Sequence, residues 1–255
     1  MGVSFVQLLI LCPLIFLSGF VDSIAGGGGL ISLPAYMIIG LPAHTARGTN
    51  KLTAFMGTTV STTRYAMKGF IPWKKALPCV ICALGGSALG TKLGLLVDEN
   101  IFKIVMLIVI PATAIYLWFF KKDLEEKEPL SDKKTVIYAC IISFVLGIYD
   151  GFYGPGTGTF LIILLSAAAH LSINESNGIA KAINLATNVA SLVVFILNGK
   201  VMFLLGATAG VFSIAGNYLG TKMFFKNGQK IVRPIMMIVL LIFFVKILME
   251  LFGIA

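Results

Sequence analysis

The sequence predicts an all-α integral membrane protein, an inverted repeat of two homologous halves with about six full crossings and two glycine-broken re-entrant hairpins. Three observations point to it. Of 255 residues, 58% are hydrophobic and 12% charged, and mean hydropathy is +0.95, whereas a soluble domain carries about 25% charged residues. Apolar runs of the roughly 20 residues that cross a hydrocarbon core recur along the chain. The chain also matches itself at a nearly constant offset.

The first run, 3–40, is apolar at both ends and broken by Asp22-Ser23-Ile24-Ala25-Gly26-Gly27-Gly28-Gly29. No Lys or Arg precedes it, so it reads as mature membrane structure and not as a signal peptide. Runs 52–67, 76–97 and 101–120 follow, the first more polar and suited to a span lined by protein. The charged segment 121–134, with Pro129 inside it, links a first membrane repeat (1–120) to a second (135–255). The second opens with run 135–170, broken by Asp150-Gly151-Phe152-Tyr153-Gly154-Pro155-Gly156-Thr157-Gly158, and continues through 179–197, 201–221 and 235–251.

Shifted by about 128 residues, Gly19, Asp22, Gly26 and Gly28 fall on Gly147, Asp150, Gly154 and Gly156. Shifted by about 130, Lys51 falls on Lys181, Gly69 on Gly199, Gly86 on Gly216, and Gly90-Thr91-Lys92 on Gly220-Thr221-Lys222. The chain is a tandem duplication. Basic residues then decide between parallel and inverted halves. Arg64, Lys68, Lys74 and Lys75 crowd one loop of the first half. In the second half it is the following loop that is basic, with Lys222, Lys226, Lys230 and Arg233. Equivalent loops therefore face opposite sides, which requires an odd number of crossings per half: three spans and a hairpin that enters and leaves on one side. On this reading the linker is cytoplasmic and both termini are outside; Arg47 and Lys51, on the outer side, run against it.

The net charge of +9 comes from short clusters between apolar runs, which fits lipid headgroups and not nucleic acid. Cys12, Cys79, Cys82 and Cys140 lie in apolar runs, and Cys79-x-x-Cys82 has no second ligand pair, so all four read as structural thiols. His44 and His170 are single and lack metal-ligand spacing. With no nucleophile and base pair, phosphate loop or HExxH pattern, neither an enzyme nor a cofactor is expected.

Non-helical backbone at membrane depth must lie in protein or against a water-filled cavity. An apolar half-helix follows each glycine tract, over 30–39 and 160–169, and the free N–H groups of its first turn point back at the break as an anion site. Gly26, Gly27, Gly28, Gly29, Gly154, Gly156, Thr157 and Gly158 are therefore candidate substrate contacts. Thr49, Asn50 and Lys51, with Thr53 near, and their counterparts Lys181, Asn184 and Asn188 add donors suited to oxyanion oxygens. Thr58, Ser61 and Ser191 extend the polar face. Asp22 and Asp150 are either N-caps or sites for a coupling proton or cation. The glycines alone also admit a role in close helix packing.

The paired motifs Gly19-Phe20-Val21-Asp22-Ser23-Ile24-Ala25-Gly26-Gly27-Gly28-Gly29, Leu33-Pro34, Gly48-Thr49-Asn50-Lys51 and Gly147-x-x-Asp150-Gly151-x-x-Gly154-Pro155-Gly156-Thr157-Gly158 resemble the sulfite exporter TauE/SafE family, also called the toluene sulfonate uptake permeases. The resemblance covers nearly the whole chain and implies a prokaryotic inner-membrane transporter of sulfur-containing anions such as sulfite, thiosulfate or organosulfonates. The expected activity is secondary transport by alternating access. Its partners would be a small anion, membrane lipid and a coupling proton or sodium ion, with no nucleic acid. The competing readings are transport of a cation or neutral metabolite with Asp22 and Asp150 as ligands, and a non-transporting membrane scaffold.

Overall fold

The computed structural model describes residues 5–97, 128–231 and 234–235. Expected spans 101–120 and 235–251 and most of the linker fall outside them. The described residues form α1 (Phe5–Ala25), α2 (Gly29–Ile38), α3 (Ala43–Met67), α4 (Trp73–Leu96), α5 (Asp132–Phe152), α6 (Thr157–Ala167), α7 (Ile173–Leu197), α8 (Phe203–Asn227) and a 3₁₀ turn, Gly228–Ile231. Among them, α1, α4, α5, α7 and α8 are long and apolar enough to cross a membrane, while α2 and α6 are short apolar helices.

Two helices start earlier than their apolar runs. Helix α3 begins at Ala43, behind Pro42, and its polar first turns bury Arg47, Thr49 and Lys51 in protein. Helix α7 begins at Ile173 because Ser172 and Glu175 form a capping box, with Glu175 N donating to Ser172 Oγ (3.3 Å) and Ser172 N to the Glu175 carboxylate (3.2 Å). Hydropathy marks where lipid could be tolerated, and these turns never meet lipid.

Each glycine break reverses the chain. Gln7 Nε2 donates to Ile39 O (2.8 Å) and Ser18 Oγ to Gly28 O (2.8 Å), so α2 runs back along α1 towards the end at which α1 starts. In the second half, His170 Nδ1 pairs with Glu128 O (2.6 Å), returning the end of α6 to the start of α5. Both broken segments are thus hairpins that open on one side.

Glycine contacts give the helix directions. Gly216 and Gly220 of α8 abut the backbone of Phe16 and Phe20 on α1, and Gly86 and Gly90 of α4 abut Phe144 and Ile148 on α5, so both seams are parallel. A Cβ at Gly90 would collide with the Ile148 carbonyl. Such small-residue contact is how helices associate in lipid, where no hydrophobic drive brings them together. Helix α3 runs parallel to α8, through Leu52 at Gly206 and Met56 at Gly210, and α7 runs parallel to α4, through Ser87 Oγ to Thr187 O (3.0 Å) and Thr91 Oγ1 to Ser191 Oγ (2.9 Å). Helices α3 and α7, which occupy equivalent places in the two halves, are antiparallel: Thr62 Oγ1 donates to Lys181 O (3.0 Å) and Lys51 Nζ to Asn188 Oδ1 (3.2 Å). The halves are therefore inverted.

Inversion sorts the charges. The turn from α3 to α4, with Lys68, Lys74 and Lys75, and the end of α8, with Lys222, Lys226 and Lys230, share one end of the bundle. Lys75 Nζ to Asp132 Oδ1 (3.7 Å) brings the start of α5 there too. Arg64 stacks on Tyr218 (4.1 Å) at the same end, above a cluster in which Tyr65 lies 5.1 Å from Phe224 and Phe70 lies 5.7 Å from Phe225. A second apolar cluster, including Leu11, Ile15, Tyr36 and Leu205, fills the other end. The polar site lies between them.

Candidate functional site

The site is built where α1 and α5 stop. A helix leaves its last carbonyls without partners, and here side chains supply donors, most of them from the opposite half. Asn177 Nδ2 donates to Ile24 O (2.8 Å), Tyr65 Oη to Ser23 O (3.0 Å) and Lys181 Nζ to Asp22 O. At the end of α5, Arg47 Nη2 donates to Gly151 O (2.8 Å) and to Phe152 O. Arg47 and Asn177 are equivalent in the repeat, one helical turn before Lys51 and Lys181. Arg47 is 4% exposed and its guanidinium also lies over Phe195 (5.3 Å).

The two lysines reach across to the aspartate of the other half, but unequally. Lys51 Nζ sits 2.5 Å from Asp150 Oδ2. Lys181, fully buried, donates to the Asp22 carbonyl and stays 4.0 Å from its carboxylate. Asp22 Oδ1 instead accepts from Gly28 N (3.4 Å), in the manner of a cap on the turn into α2.

Beyond each break the next helix begins with unbonded amides. In α2, Leu30 N and Ile31 N turn back to Gly27 O (3.1 Å) and Gly28 O (2.9 Å). In α6, Thr157 N reaches Gly154 O (3.3 Å). Among the described residues the amides of Gly29, Gly158 and Thr159 have no backbone partner. Gly154 and Gly156 adopt φ of +98° and +85°, the left-handed region that glycine tolerates best. The breaks touch: a Cβ on Gly26 would fall 2.6 Å from Gly158 Cα, and one on Gly158 would fall 2.7 Å from Gly26 Cα. Glycine here serves close contact and exposes peptide groups together.

These groups surround a cavity with an empty volume of about 710 Å³, the open solvent at its mouth included. Of the residues singled out in the sequence, Asp22, Gly26, Gly28, Gly29, Asn50, Lys51, Asp150, Gly154, Gly156, Thr157, Gly158, Asn184 and Asn188 line it, as do Thr53 and Thr58. Five do not. Gly27 is not part of its wall, Ser61 Oγ donates to Thr58 O (3.2 Å), and Ser191 Oγ pairs with Ser87 and Thr91. Thr49 Oγ1 accepts from Met202 N (3.1 Å), tying down the entry to α8. Lys181 lies behind the wall, its ammonium turned to the end of α1.

The wall also includes Ser18, Ser32, Arg47, Tyr153, Ser213 and Asn217, which sequence reasoning did not select. Four of these are polar where the repeat partner is apolar or smaller: Leu146 answers Ser18, Phe160 answers Ser32, Ala83 answers Ser213 and Ser87 answers Asn217. The wall is therefore not symmetric between the halves: its extra polar groups come from α1, α2 and α8. Chemically it offers ammonium, guanidinium, amide and hydroxyl donors. Among the described residues no group of His, Cys, Asp and Glu is gathered to hold a metal ion.

Inverted halves, chain breaks at the centre and a polar cavity between them define a multi-pass membrane transporter. The chain belongs to the sulfite exporter TauE/SafE family, whose model matches residues 11–247. It is 35% identical over 225 residues to a probable membrane transporter protein of Haemophilus influenzae, covering 88% of this chain and 87% of that one. It is 30% identical over 235 residues to another of Sinorhizobium sp., covering 92% and 90%, and 30% identical over 237 residues to the probable membrane transporter protein YfcA of Escherichia coli, covering 93% and 88%. No solved structure matches the chain significantly. The protein is thus a prokaryotic multi-pass membrane protein of a transporter family.

Proposed function

We propose that the protein is a secondary transporter of small sulfur-containing oxyanions (sulfite, thiosulfate or an organosulfonate), held in the central cavity and exposed alternately to the two sides of the membrane. The observation that carries this reading is the meeting of the two breaks at Gly26 and Gly158, beside Lys51 and Arg47 on one cavity wall. First-turn amides and the positive end of a helix dipole favour negative charge, and in a low-dielectric interior that preference outweighs what it would be in water. The name of the family, a sulfite exporter, supports sulfur among the oxyanions. A cation site is the weaker reading, because each aspartate already faces a lysine. By the positive-inside rule the basic end of the bundle is cytoplasmic.

Proteoliposomes loaded with labelled sulfite, thiosulfate or methanesulfonate test this under proton and sodium gradients of both directions. Wild type moves at least one of them and Lys51→Ala moves it at least tenfold more slowly, the loss of about one and a half kcal/mol of charge-assisted binding. Movement of none by wild type refutes the oxyanion reading.

A further inference from the structure

The two aspartates of the repeat are equivalent in sequence yet held differently, and the difference separates their roles. Asp150 is neutralised by Lys51 at 2.5 Å, with both side chains under a tenth exposed. Asp22 is paired far more loosely. Its carboxylate is 4.0 Å from Lys181 Nζ, its side chain is 17% exposed, and one oxygen rests on the Gly28 amide at 3.4 Å. That amide opens α2, where an incoming oxyanion would find donors. The empty protein thus keeps a carboxylate on the donors that its ligand needs.

We infer that Asp22 is the proton site of the transporter: it takes up one proton as the anion binds, and anion and proton travel together. An anion seated at the start of α2 lies against Asp22, and two like charges cannot stay ionised together in a desolvated cavity. With thiosulfate or a sulfonate, neither of which takes up a proton near neutral pH, the carboxylate is the member of the pair able to take one and become a donor to the anion. The surrounding charges agree. The ionisable groups on the cavity wall are Asp22, Arg47, Lys51, Asp150 and Tyr153, with Lys181 of α7 and Tyr65 of α3 just behind. Lys51 is matched by Asp150 and the Arg47 guanidinium is directed to the carbonyls that end α5, so the cation that faces Asp22 is Lys181, 4.0 Å away. Helices α2, α6 and α8 bring no ionisable side chain to the wall. Asn217, 1% exposed on that wall, has an Oδ1 without a hydrogen-bond donor among the described residues, an acceptor that a protonated group in the cavity would satisfy.

The inference rests on the oxyanion reading above, and one experiment separates them. Binding of thiosulfate and of methanesulfonate, neither of which takes up a proton near neutral pH, is measured by calorimetry on the detergent-purified full chain in buffers of different ionisation enthalpy. Wild type is expected to take up one proton per anion, with affinity improving about tenfold for each unit of falling pH, the slope that uptake of one proton requires. Asp22→Asn should bind with no proton uptake and no pH slope, whereas Asp150→Asn keeps the slope whatever its affinity. Wild-type binding without proton uptake overturns this inference and leaves the oxyanion reading standing; so does a full pH slope in Asp22→Asn. Absence of binding by both anions overturns this inference, and absence of sulfite binding as well overturns the oxyanion reading too. Should Asp22→Asn fail to fold, the wild-type stoichiometry still decides whether a proton binds, and Asp22→Glu must keep a slope displaced along the pH axis.

Discussion

Replacing Gly26 by alanine tests the central contact of the molecule. Gly26 has φ +77°, a region that costs a side chain about 1–2 kcal/mol. The new methyl would also fall 2.6 Å from Gly158 Cα and 2.7 Å from Thr159 N, neighbours that are backbone and cannot rotate away. Overpacking of this kind costs about 1–3 kcal/mol, so the substitution should lose about 2–5 kcal/mol in all. Gly40 is the internal control: its φ is +91° and nothing lies within 4 Å of its missing Cβ, so Gly40→Ala should lose only about 1–2 kcal/mol. Gly85, helical and equally open, should gain up to about 1 kcal/mol as alanine. Thermal unfolding in mild detergent, followed by size-exclusion fluorescence, ranks the variants. Gly85→Ala should lie at or above wild type, with Gly40→Ala below and Gly26→Ala lowest. A midpoint for Gly26→Ala at or above that of Gly40→Ala would mean that the two breaks do not touch as described.

Three other expectations follow from particular contacts. Lys181→Ala removes the buried cation that faces Asp22, leaving its carbonyl to the Gly26 amide and its carboxylate to the Gly28 amide, and should lower stability by about 1–3 kcal/mol, read as a lower unfolding midpoint and reduced yield. Ser172→Ala removes the capping box of α7 and should cost about 0.5–2 kcal/mol, seen as faster hydrogen exchange confined to the start of α7. In a cysteine-free background, Lys68→Cys in the turn after α3 and Lys200→Cys in the turn after α7 should react with impermeant maleimide from opposite sides of the membrane; labelling of both from one side would contradict the inverted arrangement.

Much of this architecture was legible because its signals are local. The break after Asp22 and the break after Asp150 are visible as runs of glycine in apolar sequence, and the alternation of basic loops exposes the inversion. The starts of α3 and α7 were not, since hydropathy reads contact with lipid and those turns are wrapped in protein; the Ser172 and Glu175 spacing was the available clue. Symmetry with Lys51 points Lys181 at the ligand, whereas the structure turns its ammonium to the end of α1. A repeat equates positions without equating their neighbours: Leu146, Phe160 and Ala83 answer Ser18, Ser32 and Ser213, and of the two lysines Lys51 meets the cavity. Arg47 reads in the sequence as a charge against the expected orientation. Its equivalence to Asn177, a second donor one turn before the second lysine, was the signal that both residues close the end of a helix.

The parallel seams have a consequence for the integrity of the chain. Helix α1 lies against α8 and α5 against α4, so each hairpin leans on a helix from the other repeat. Cutting the chain between its repeats would strip both hairpins of these neighbours at once, so the seams make each half a structural cofactor of the other.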